Sequence, residues 1–263
     1  MNILQKIIAH KEEEVAVRKL MVPEKDLFDT SYFARRCLSL KQNLLTDNAT
    51  GLIAEFKRKS PSKGFINEHA DVLSVTGAYT RFGASGLSVL TDHEFFGGGT
   101  DDLVAARVNE IPILRKDFII DTYQISAAKA MGADVILLIA ACLKPAGVKE
   151  LARYARKLGL EVLLELHGED ELNSVCDEVD MVGINNRDLK SFKVDIDRSL
   201  RLGKMLPQHV VKIAESGISD VAMIHRFKEA GFHGFLVGEA FMKAQHPGEA
   251  FRDFVTSLTN PKI

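Results

Sequence analysis

An α/β fold of the (β/α)8 barrel type is the class that the 263-residue sequence predicts, and three observations support it. Short apolar segments recur eight times, and helical patterns separate them. The 213 residues from Gly51 to Ile263 leave about 27 residues for each strand–helix unit, which is enough for a barrel repeat. No early G-x-G-x-x-G motif is present, so an open dinucleotide-binding sheet is the less favoured arrangement of the same units.

The eight strand candidates are mostly continuous apolar runs rather than alternations of apolar and polar residues. Parallel strands that are buried on both faces have this pattern, because helices cover the outer side of the sheet. Closed on itself, such a sheet is a TIM barrel. The candidates are Leu52–Lys57, Gly86–Thr91, Ile111–Lys116, Ala133–Ile139, Glu161–Leu166, Met181–Asn185, Val210–Ala214 and Gly234–Val237.

Helical spacing fills the intervals between these strands. In the first interval Val72, Val75, Tyr79 and Phe82 recur three or four residues apart, which is typical of one helix face. Pro145 suits the first turn of a helix, and glycines at several junctions can end one. The predicted helices are Asp71–Phe82, Thr122–Met131, Ala146–Leu158, Glu169–Cys176, Asp197–Met205, Asp220–Ala230 and Gly248–Leu258.

The first 50 residues do not fit the alternation. We expect them to be an N-terminal helical extension that packs on the barrel, within one domain spanning residues 1–263. Ile3–Leu20 is amphipathic, and its charge run Lys11–Glu14 is interpreted as a solvated helix face. Phe28–Leu45 is predicted as a second helical stretch.

Composition argues against several classes of protein. The chain has 34 basic and 36 acidic residues, whereas a dedicated nucleic-acid binder usually has a basic excess. Apolar runs such as Val135–Ala141 are far shorter than the ~20 residues that cross a bilayer. Three scattered cysteines lack disulfide or metal-ligand spacing, and the N-terminus lacks a signal-peptide pattern. We therefore expect a cytoplasmic protein with no metal site, acting on neither membranes nor nucleic acid.

Polar side chains follow several predicted strands, at the barrel end where the active sites of this fold lie. The two-residue period of a strand directs Glu55 and Lys57 into the barrel mouth. Lys116, Glu165 and Asn185 end three further strands. Two lysines, two carboxylates and an amide at one mouth indicate an acid–base site, and a structural ion-pair network is the alternative.

The loops after the seventh and eighth strands indicate a phosphate site. Ser216 and Gly217 precede one helical pattern, and Gly238 precedes another segment that begins at Glu239. Small residues let backbone N–H groups approach an anion, and a helix N-terminus favours it. We expect Glu239 to offer its backbone and to turn its side chain away from the phosphate.

Two other features have open interpretations. His167 follows the fifth strand, and a loop histidine is favoured over a catalytic one. Gly97–Gly99 forms a loop after the second strand that is either a lid or a connector.

The segment Ile53-Ala-Glu-Phe-Lys-Arg-Lys-Ser-Pro-Ser62 resembles the signature of the indole-3-glycerol phosphate synthase family. The N-terminal Ile-Ala-His-Lys segment resembles the leading helix of that family. Departures from the family pattern at His93, Gly99 and Phe241 concern the lid and the packing of the phosphate loop. Further matches follow in order along nearly the whole chain: Leu90-Thr-Asp92, Phe95-Phe-Gly97, Leu114-Arg-Lys-Asp-Phe118, Leu163-Leu-Glu165, Gly183-Ile-Asn-Asn-Arg-Asp-Leu189, Ala214-Glu-Ser-Gly217 and Val237-Gly-Glu-Ala240.

The resemblance implies a reaction of tryptophan biosynthesis that needs no cofactor. The substrate would be 1-(2-carboxyphenylamino)-1-deoxyribulose 5-phosphate. Its aromatic carbon attacks the ribulose carbonyl, the carboxylate leaves as carbon dioxide, and a hydroxyl leaves as water. The product would be indole-3-glycerol phosphate.

The resemblance also implies catalytic roles. Lys116 would be the general acid of ring closure, and Glu165 would transfer protons in the later steps. Lys57 would lie near the substrate carboxylate and assist dehydration. Glu55 would position Lys57 and substrate, and a role as a base stays open. The assignment of the proton donor between the two lysines is also open, because lysines among carboxylates titrate as a coupled system. Two further residues would hydrogen-bond the reacting part of the substrate, Asn185 and Ser216.

Binding residues are implied in the same way. Arg187 would support the carboxylate network beside the substrate. The phosphate candidates are Ser60, Gly217, Gly238 and the backbone of Glu239, and the candidates for an apolar pocket around the anthranilate ring are Phe118, Leu137 and Leu189.

Two other functions remain as alternatives. One is a phosphosugar isomerase with the same phosphate site, which the combination of Glu55, Lys57 and Lys116 disfavours. The other is a non-catalytic barrel that binds a phosphorylated metabolite, which would not require an acid–base set. The assembly is open between a monomer and a weak homodimer, with or without contacts to neighbouring pathway enzymes.

Overall fold

A computed structural model describes residues 3–188 and 193–260 of the chain. Eight parallel strands close into a barrel in which each strand pairs with its neighbours in sequence and β8 pairs with β1. The predicted TIM-barrel class is therefore confirmed. The strands are β1 (Leu52–Phe56), β2 (Gly86–Leu90), β3 (Ile113–Lys116), β4 (Val135–Ile139), β5 (Glu161–Leu166), β6 (Met181–Asn185), β7 (Val211–Glu215) and β8 (Gly234–Val237).

Helices connect the strands on the outside of the barrel. Most predicted helices are present, but the one after β5 is a 3₁₀ segment, Glu169–Ser174, and a further 3₁₀ turn is Ala140–Cys142. Between β2 and β3, where the sequence predicted only a glycine loop, two short helices occur. The α-helices are α1 (Ile3–Met21), α2 (Glu24–Phe28), α3 (Leu40–Leu45), α4 (Val72–Arg81), α5 (His93–Phe96), α6 (Thr100–Ala106), α7 (Thr122–Ala130), α8 (Pro145–Lys157), α9 (Ile196–Met205), α10 (Val221–Glu229), α11 (Glu239–Met242) and α12 (Pro247–Thr259).

Aspartate residues begin many of these helices. In each case the carboxylate accepts a hydrogen bond from a backbone N–H of the first turn, which would otherwise lack a partner inside the helix. The caps therefore set the points at which the chain turns from a strand end into the next helix. They are Asp71, Asp92, Asp121, Asp195 and Asp220.

The alternation along β1 separates two layers of the core. Ile53 packs inside the barrel with the other inward side chains, such as Leu163 and Ile213. Ala54 and Phe56 point outward and pack against the helices. The same two-residue period carries Glu55 to the inner face, at the end of the strand where the barrel opens.

Helix α3 closes the opposite end of the barrel, where the strands begin. A Cβ added to Gly86 would lie 2.6 Å from Leu40 Cδ1, and one added to Gly234 would lie 3.2 Å from Leu44 Cδ1. Both leucines are buried in the inner core. The Glu161 carboxylate, at the start of β5, accepts a hydrogen bond from the Lys41 backbone N–H at 3.0 Å.

The predicted helix over residues 28–45 is wrong in this region. The chain forms α2 and α3 as separate short helices, and residues 29–39 between them contain turns and extended backbone. Ser39 ends the irregular segment as an N-cap, since its hydroxyl accepts the Gln42 N–H. Because the helix is interrupted, α3 can lie at the end of the barrel where the strands begin.

Helix α1 lies at the other end, beside the mouth. Its residue Lys11 is 1% exposed, and Nζ lies 2.8 Å from Asp92 and 3.0 Å from Asp117 in the loops after β2 and β3. Burial alone would lower the pKa of Lys11, but Asp117 and Asp92 outweigh it and the pKa is raised. The interpretation of Lys11–Glu14 as a solvated face is therefore wrong for Lys11, which anchors the helix to the barrel.

Within the ranges that the structure describes, no helix is long and apolar enough to cross a membrane.

Candidate active site

One cavity of about 310 Å³ occupies the mouth at the strands' carboxyl ends. It brings together the predicted site residues of seven strand ends or loops, whereas Leu189 lies outside the described residues. Those that line the cavity are Glu55, Lys57, Ser60, Lys116, Phe118, Leu137, Glu165, Asn185, Arg187, Ser216, Gly217, Gly238 and Glu239.

The end of β1 provides a lysine–carboxylate pair. Lys57 Nζ lies 2.6 Å from Glu55 Oε1, and the Glu55 side chain is almost fully buried. Gly238 leaves room for it, because a Cβ there would lie 2.8 Å from both Cβ and Oε1 of Glu55. The glycine that the sequence assigned to phosphate binding thus also shapes the wall around Glu55.

A second cluster lies deeper in the mouth. Lys116 Nζ, at the end of β3, lies 2.8 Å from Glu165 Oε2 and 3.3 Å from Glu215 Oε2. Burial would lower the pKa of Lys116, but Glu165, Glu215 and Glu55 outweigh it, so the pKa is raised and the ammonium form is favoured. Burial likewise opposes ionisation of Glu165, yet Lys116 and His167 hold the pKa of that carboxyl well below its ordinary value.

Glu215 is a site residue to which the sequence analysis gave no role. Burial and the nearby Glu165 carboxylate raise its pKa to about 8, although Lys116 opposes the shift. The Glu215 side chain occupies space that Gly183 leaves on β6, where a Cβ would lie only 1.9 Å from Oε1. The two-residue period from the inward Ile213 could have identified Glu215 as an inward residue at the strand end.

Further side chains contact Glu165. Asn185 Nδ2 donates a hydrogen bond to Glu165 Oε1 at 3.1 Å. His167 Nε2 lies 3.1 Å from the same oxygen. The other oxygen, Oε2, faces Lys116, so both oxygens of Glu165 have polar neighbours. His167 lies in the loop after β5, as predicted, and it also lines the cavity.

The loop after β7, one of the two predicted phosphate loops, has an unusual backbone conformation. Ser216 and Gly217 adopt φ values of 66° and 69°, in the left-handed region that non-glycine residues rarely enter. Asn186 supports this turn, since its Nδ2 donates to the Ser216 carbonyl at 2.8 Å. Ser60, in the loop after β1, also lines the cavity, and its buried hydroxyl has no hydrogen-bond partner among the described residues.

Charged side chains surround the same rim. Glu239 lies 2.6 Å from Lys63 Nζ and 3.4 Å from an Arg187 nitrogen, and Lys63 and Arg187 lower its pKa despite burial. Its carboxylate is thus paired with two cations, which offsets a charge unfavourable to phosphate. Arg187 also donates to Ser62 at 3.3 Å.

An apolar wall completes the cavity. Phe118 and Phe96 lie with ring centroids 6.0 Å apart, and Leu137 projects from β4 inside the barrel. The first turns of α1 contribute Ile3, Leu4 and Ile7, which the sequence analysis placed only on the barrel surface. No local sequence pattern predicts that α1 reaches the cavity. The contact depends on the ion pairs of Lys11 with Asp92 and Asp117, which are distant in sequence.

Metal ligation has no support in the geometry of the described residues, where no three His, Cys, Asp or Glu side chains form a group that could hold a metal ion.

Sequence and structure comparisons show which known proteins the chain resembles. The family model for indole-3-glycerol phosphate synthase matches residues 4–254. An indole-3-glycerol phosphate synthase of Bacteroides thetaiotaomicron is 46% identical over 258 residues, covering 98% of this chain and 99% of the relative. One from Salinibacter ruber is 42% identical over 254 residues, covering 95% and 94%.

Solved structures share the architecture at low identity. A tryptophan synthase α subunit from Legionella pneumophila has a TM-score of 0.59 at 16% identity and covers 83% of this chain and 95% of its own. A 3-hexulose-6-phosphate synthase from Salmonella typhimurium has a TM-score of 0.62 at 14% identity, covering 80% and 98%. At these identities the likeness concerns the barrel fold alone.

Proposed function

The chain belongs to the indole-3-glycerol phosphate synthase family, and on that premise we propose how the residues of its barrel mouth divide the chemistry. The enzyme is a carbon–carbon lyase (EC 4.1.1.48) of tryptophan biosynthesis. It converts 1-(2-carboxyphenylamino)-1-deoxyribulose 5-phosphate to indole-3-glycerol phosphate, carbon dioxide and water.

Ring closure uses Lys116 as its general acid. As the aromatic carbon attacks the ribulose carbonyl, a proton passes from Lys116 Nζ to the carbonyl oxygen, and the nitrogen keeps the electron pair. The raised pKa of Lys116 ensures that the proton is present at the start. The Glu165 carboxylate and the Glu215 side chain fix the ammonium group inside the cavity, so it can meet the carbonyl without reorganisation.

The later steps use the other lysine and Glu165. Loss of carbon dioxide returns the electrons of the broken bond to the aromatic ring. Lys57, held by Glu55, gives a proton to the departing hydroxyl, which leaves as water. Glu165 takes the proton from the carbon next to the nitrogen, and the electrons of that C–H bond form the indole double bond. Its depressed pKa keeps the carboxylate ionised for this task.

Asn185 and Ser216 hydrogen-bond the reacting part of the substrate. Asn185 already fixes Glu165 Oε1, so it also orients the base. Ser216 stands at the junction between this centre and the phosphate loop. A neutral Glu215, as a pKa of about 8 favours near pH 7, completes the hydrogen bonding around Lys116 without adding a second full charge.

The phosphate binds on the opposite side of the mouth. Backbone N–H groups of Gly217, Gly238 and Glu239 face it, and the unpartnered hydroxyl of Ser60 supplies a further donor. Arg187 keeps the Glu239 carboxylate neutralised. The anthranilate ring lies against Phe118 and Leu137, and Leu189 is proposed for the same pocket on the resemblance alone.

The observation that supports this division is the position of Lys116. This buried lysine lies within 3.3 Å of Glu165 and Glu215, which come from two other strands, in the mouth cavity that most of the predicted site residues line. The test is the appearance of indole fluorescence when purified enzyme meets the carboxyphenylamino-deoxyribulose phosphate, with a chelator present and no cofactor added. The chain contains no tryptophan, so the protein background is low. Glu165→Gln should lower kcat far more than it changes KM. An equal loss in both would assign Glu165 to substrate positioning instead.

The location, cofactor requirement and assembly of the enzyme are also proposals. We place it in the cytoplasm as a single domain that works without cofactor, and as a monomer or weak homodimer. Sparse cysteines support a reducing compartment. Sedimentation at several protein concentrations distinguishes the two assemblies, and the same measurement with neighbouring pathway enzymes added detects any contact between them.

A further inference from the structure

His167 is a buried titratable residue at the cavity wall that the proposed mechanism does not use. It follows the end of β5 by one residue, and its side chain is 11% exposed. Nε2 lies 3.1 Å from Glu165 Oε1, and Nδ1 lies 3.9 Å from Glu171 Oε2. The imidazole ring therefore stands between two carboxylates, one inside the cavity and one in the 3₁₀ segment after β5.

Glu171 is fixed independently of the ring. Its carboxylate accepts a hydrogen bond from the backbone N–H of His167 at 2.6 Å. Glu171 is not among the residues that line the described cavity, and its carboxylate lies beside the His167 ring. Because a histidine between two carboxylates gains more from its charged form than from its neutral form, this arrangement favours the imidazolium.

The catalytic cycle shows why a second cation beside Glu165 matters. Glu165 is almost fully buried, and burial alone would favour its protonated form, which cannot act as a base. In the resting enzyme Lys116 supplies the opposing charge at 2.8 Å. Once Lys116 has given its proton to the substrate, that charge is gone, yet the proton abstraction by Glu165 is still to come.

We propose that His167, oriented and held charged by Glu171, is a positioning residue that serves as a lasting countercharge for Glu165 after Lys116 has given up its proton. The inference rests on the proposed role of Glu165 as the base. His167 itself exchanges no proton with substrate in this account. It keeps Glu165 ionised through its charge at 3.1 Å, while Asn185 fixes Oε1 by a hydrogen bond.

The charges around the ring agree with this role. Burial lowers the pKa of His167, but the carboxylates that face it outweigh burial and raise the pKa. The cation is present below that pKa, which is the range in which Glu165 most needs protection from protonation. The titratable or charged groups that face the ring or its partners are Glu165 on β5, Glu171 on the 3₁₀ segment, Glu215 on β7, Lys116 on β3 and the Cys142 thiol after β4.

The test is the pH dependence of kcat in four enzymes: wild type, His167→Asn, Glu171→Gln and Glu169→Gln. Asparagine keeps a hydrogen-bond donor but removes the charge, so the acidic limb of the profile should move upward by about one pH unit. Above the limb, kcat should stay within about threefold of wild type. Glu171→Gln should move the limb in the same direction by a smaller amount. Glu169→Gln, an exposed change in the same 3₁₀ segment, should leave the limb in place.

The outcomes separate this inference from the proposed function. The residual activity of Glu165→Gln should lack the acidic limb, and its persistence would show that Glu165 is not the titrating base. If Glu165→Gln removes the limb while His167→Asn and Glu171→Gln leave it at the wild-type pH, only the role of His167 is wrong. A loss of kcat by the same factor at every pH would likewise overturn it, as would a shift in Glu169→Gln. Since Glu171 lies outside the cavity wall, its variant tests the inference even if His167→Asn folds poorly.

Discussion

Catalysis should depend on the absence of a side chain at Gly183, because the Glu215 side chain occupies that space. A Cβ at this position would lie 1.9 Å from Glu215 Oε1 and 2.9 Å from its Cδ, so Gly183→Ala must displace the Glu215 side chain. Overpacking a buried site costs about 1–3 kcal/mol of folding free energy. Displacement also breaks the 3.3 Å contact with Lys116. A hydrogen bond to a charged group contributes about 1.5–3 kcal/mol, which corresponds to roughly a 10- to 150-fold fall in kcat if it is expressed fully in the transition state.

Steady-state turnover and chemical denaturation measure the two effects separately. Gly147→Ala is the matched control, because a Cβ there meets nothing within 4 Å, and it should change neither quantity adversely. The double variant Gly183→Ala/Glu215→Ala removes the clash and should recover stability relative to Gly183→Ala, while its kcat stays as low as that of Glu215→Ala. Wild-type stability and kcat in Gly183→Ala would refute the placement of Glu215. Recovery of kcat in the double variant would refute its role beside Lys116.

Three further variants test other parts of the structure. Leu40→Ala should lower the free energy of unfolding by about 2–5 kcal/mol, because it leaves a cavity at a fully buried site where the barrel strands begin. A loss below about 1 kcal/mol would mean that α3 does not close this end of the barrel. Lys11→Met should lower the free energy of unfolding by about 3 kcal/mol, because it leaves the buried Asp92 without its cation. Lys6→Met, an exposed change on the same helix, should be nearly neutral. Equal effects of the two substitutions would show that Lys11 does not anchor α1. Glu215→Gln should flatten the pH dependence of stability. The folded pKa of about 8 lies above the ordinary value of 4.5 for a glutamate, so the wild type loses stability as pH rises through this interval. An unchanged pH dependence of stability in the variant would contradict the shift.

Local pattern predicted the barrel well because its strands are buried on both faces. The continuous apolar run Val135–Ile139 and its counterparts cannot pack in any other way along a parallel sheet. The pattern failed in residues 28–45, where tertiary contacts decide the conformation. Leu40 and Leu44 are apolar because they close the barrel base, and their helical spacing does not extend back to Phe28.

The candidate site was predictable where a strand fixes side-chain direction. The period of β1 places Glu55 inward and Phe56 outward, and the structure has both. The contacts of Lys11 could not be predicted, because Asp92 and Asp117 lie some 80 to 105 residues away and a buried lysine on a charged helix face gives no local signal. The need for glycine at position 183 could not be predicted for the same reason. It follows from the Glu215 side chain on the neighbouring strand, which occupies the space beside Gly183.

Removal of the Lys116 side chain tests whether this lysine is the general acid of ring closure. Turnover of the carboxyphenylamino-deoxyribulose phosphate should be followed by indole fluorescence in wild type and Lys116→Ala, with circular dichroism and calorimetric substrate binding measured on the same samples. General acid catalysis typically contributes 10²–10⁴-fold, so kcat should fall by about that factor while the fold and substrate binding persist. A folded Lys116→Ala enzyme that binds substrate and turns over at the wild-type rate would contradict the account.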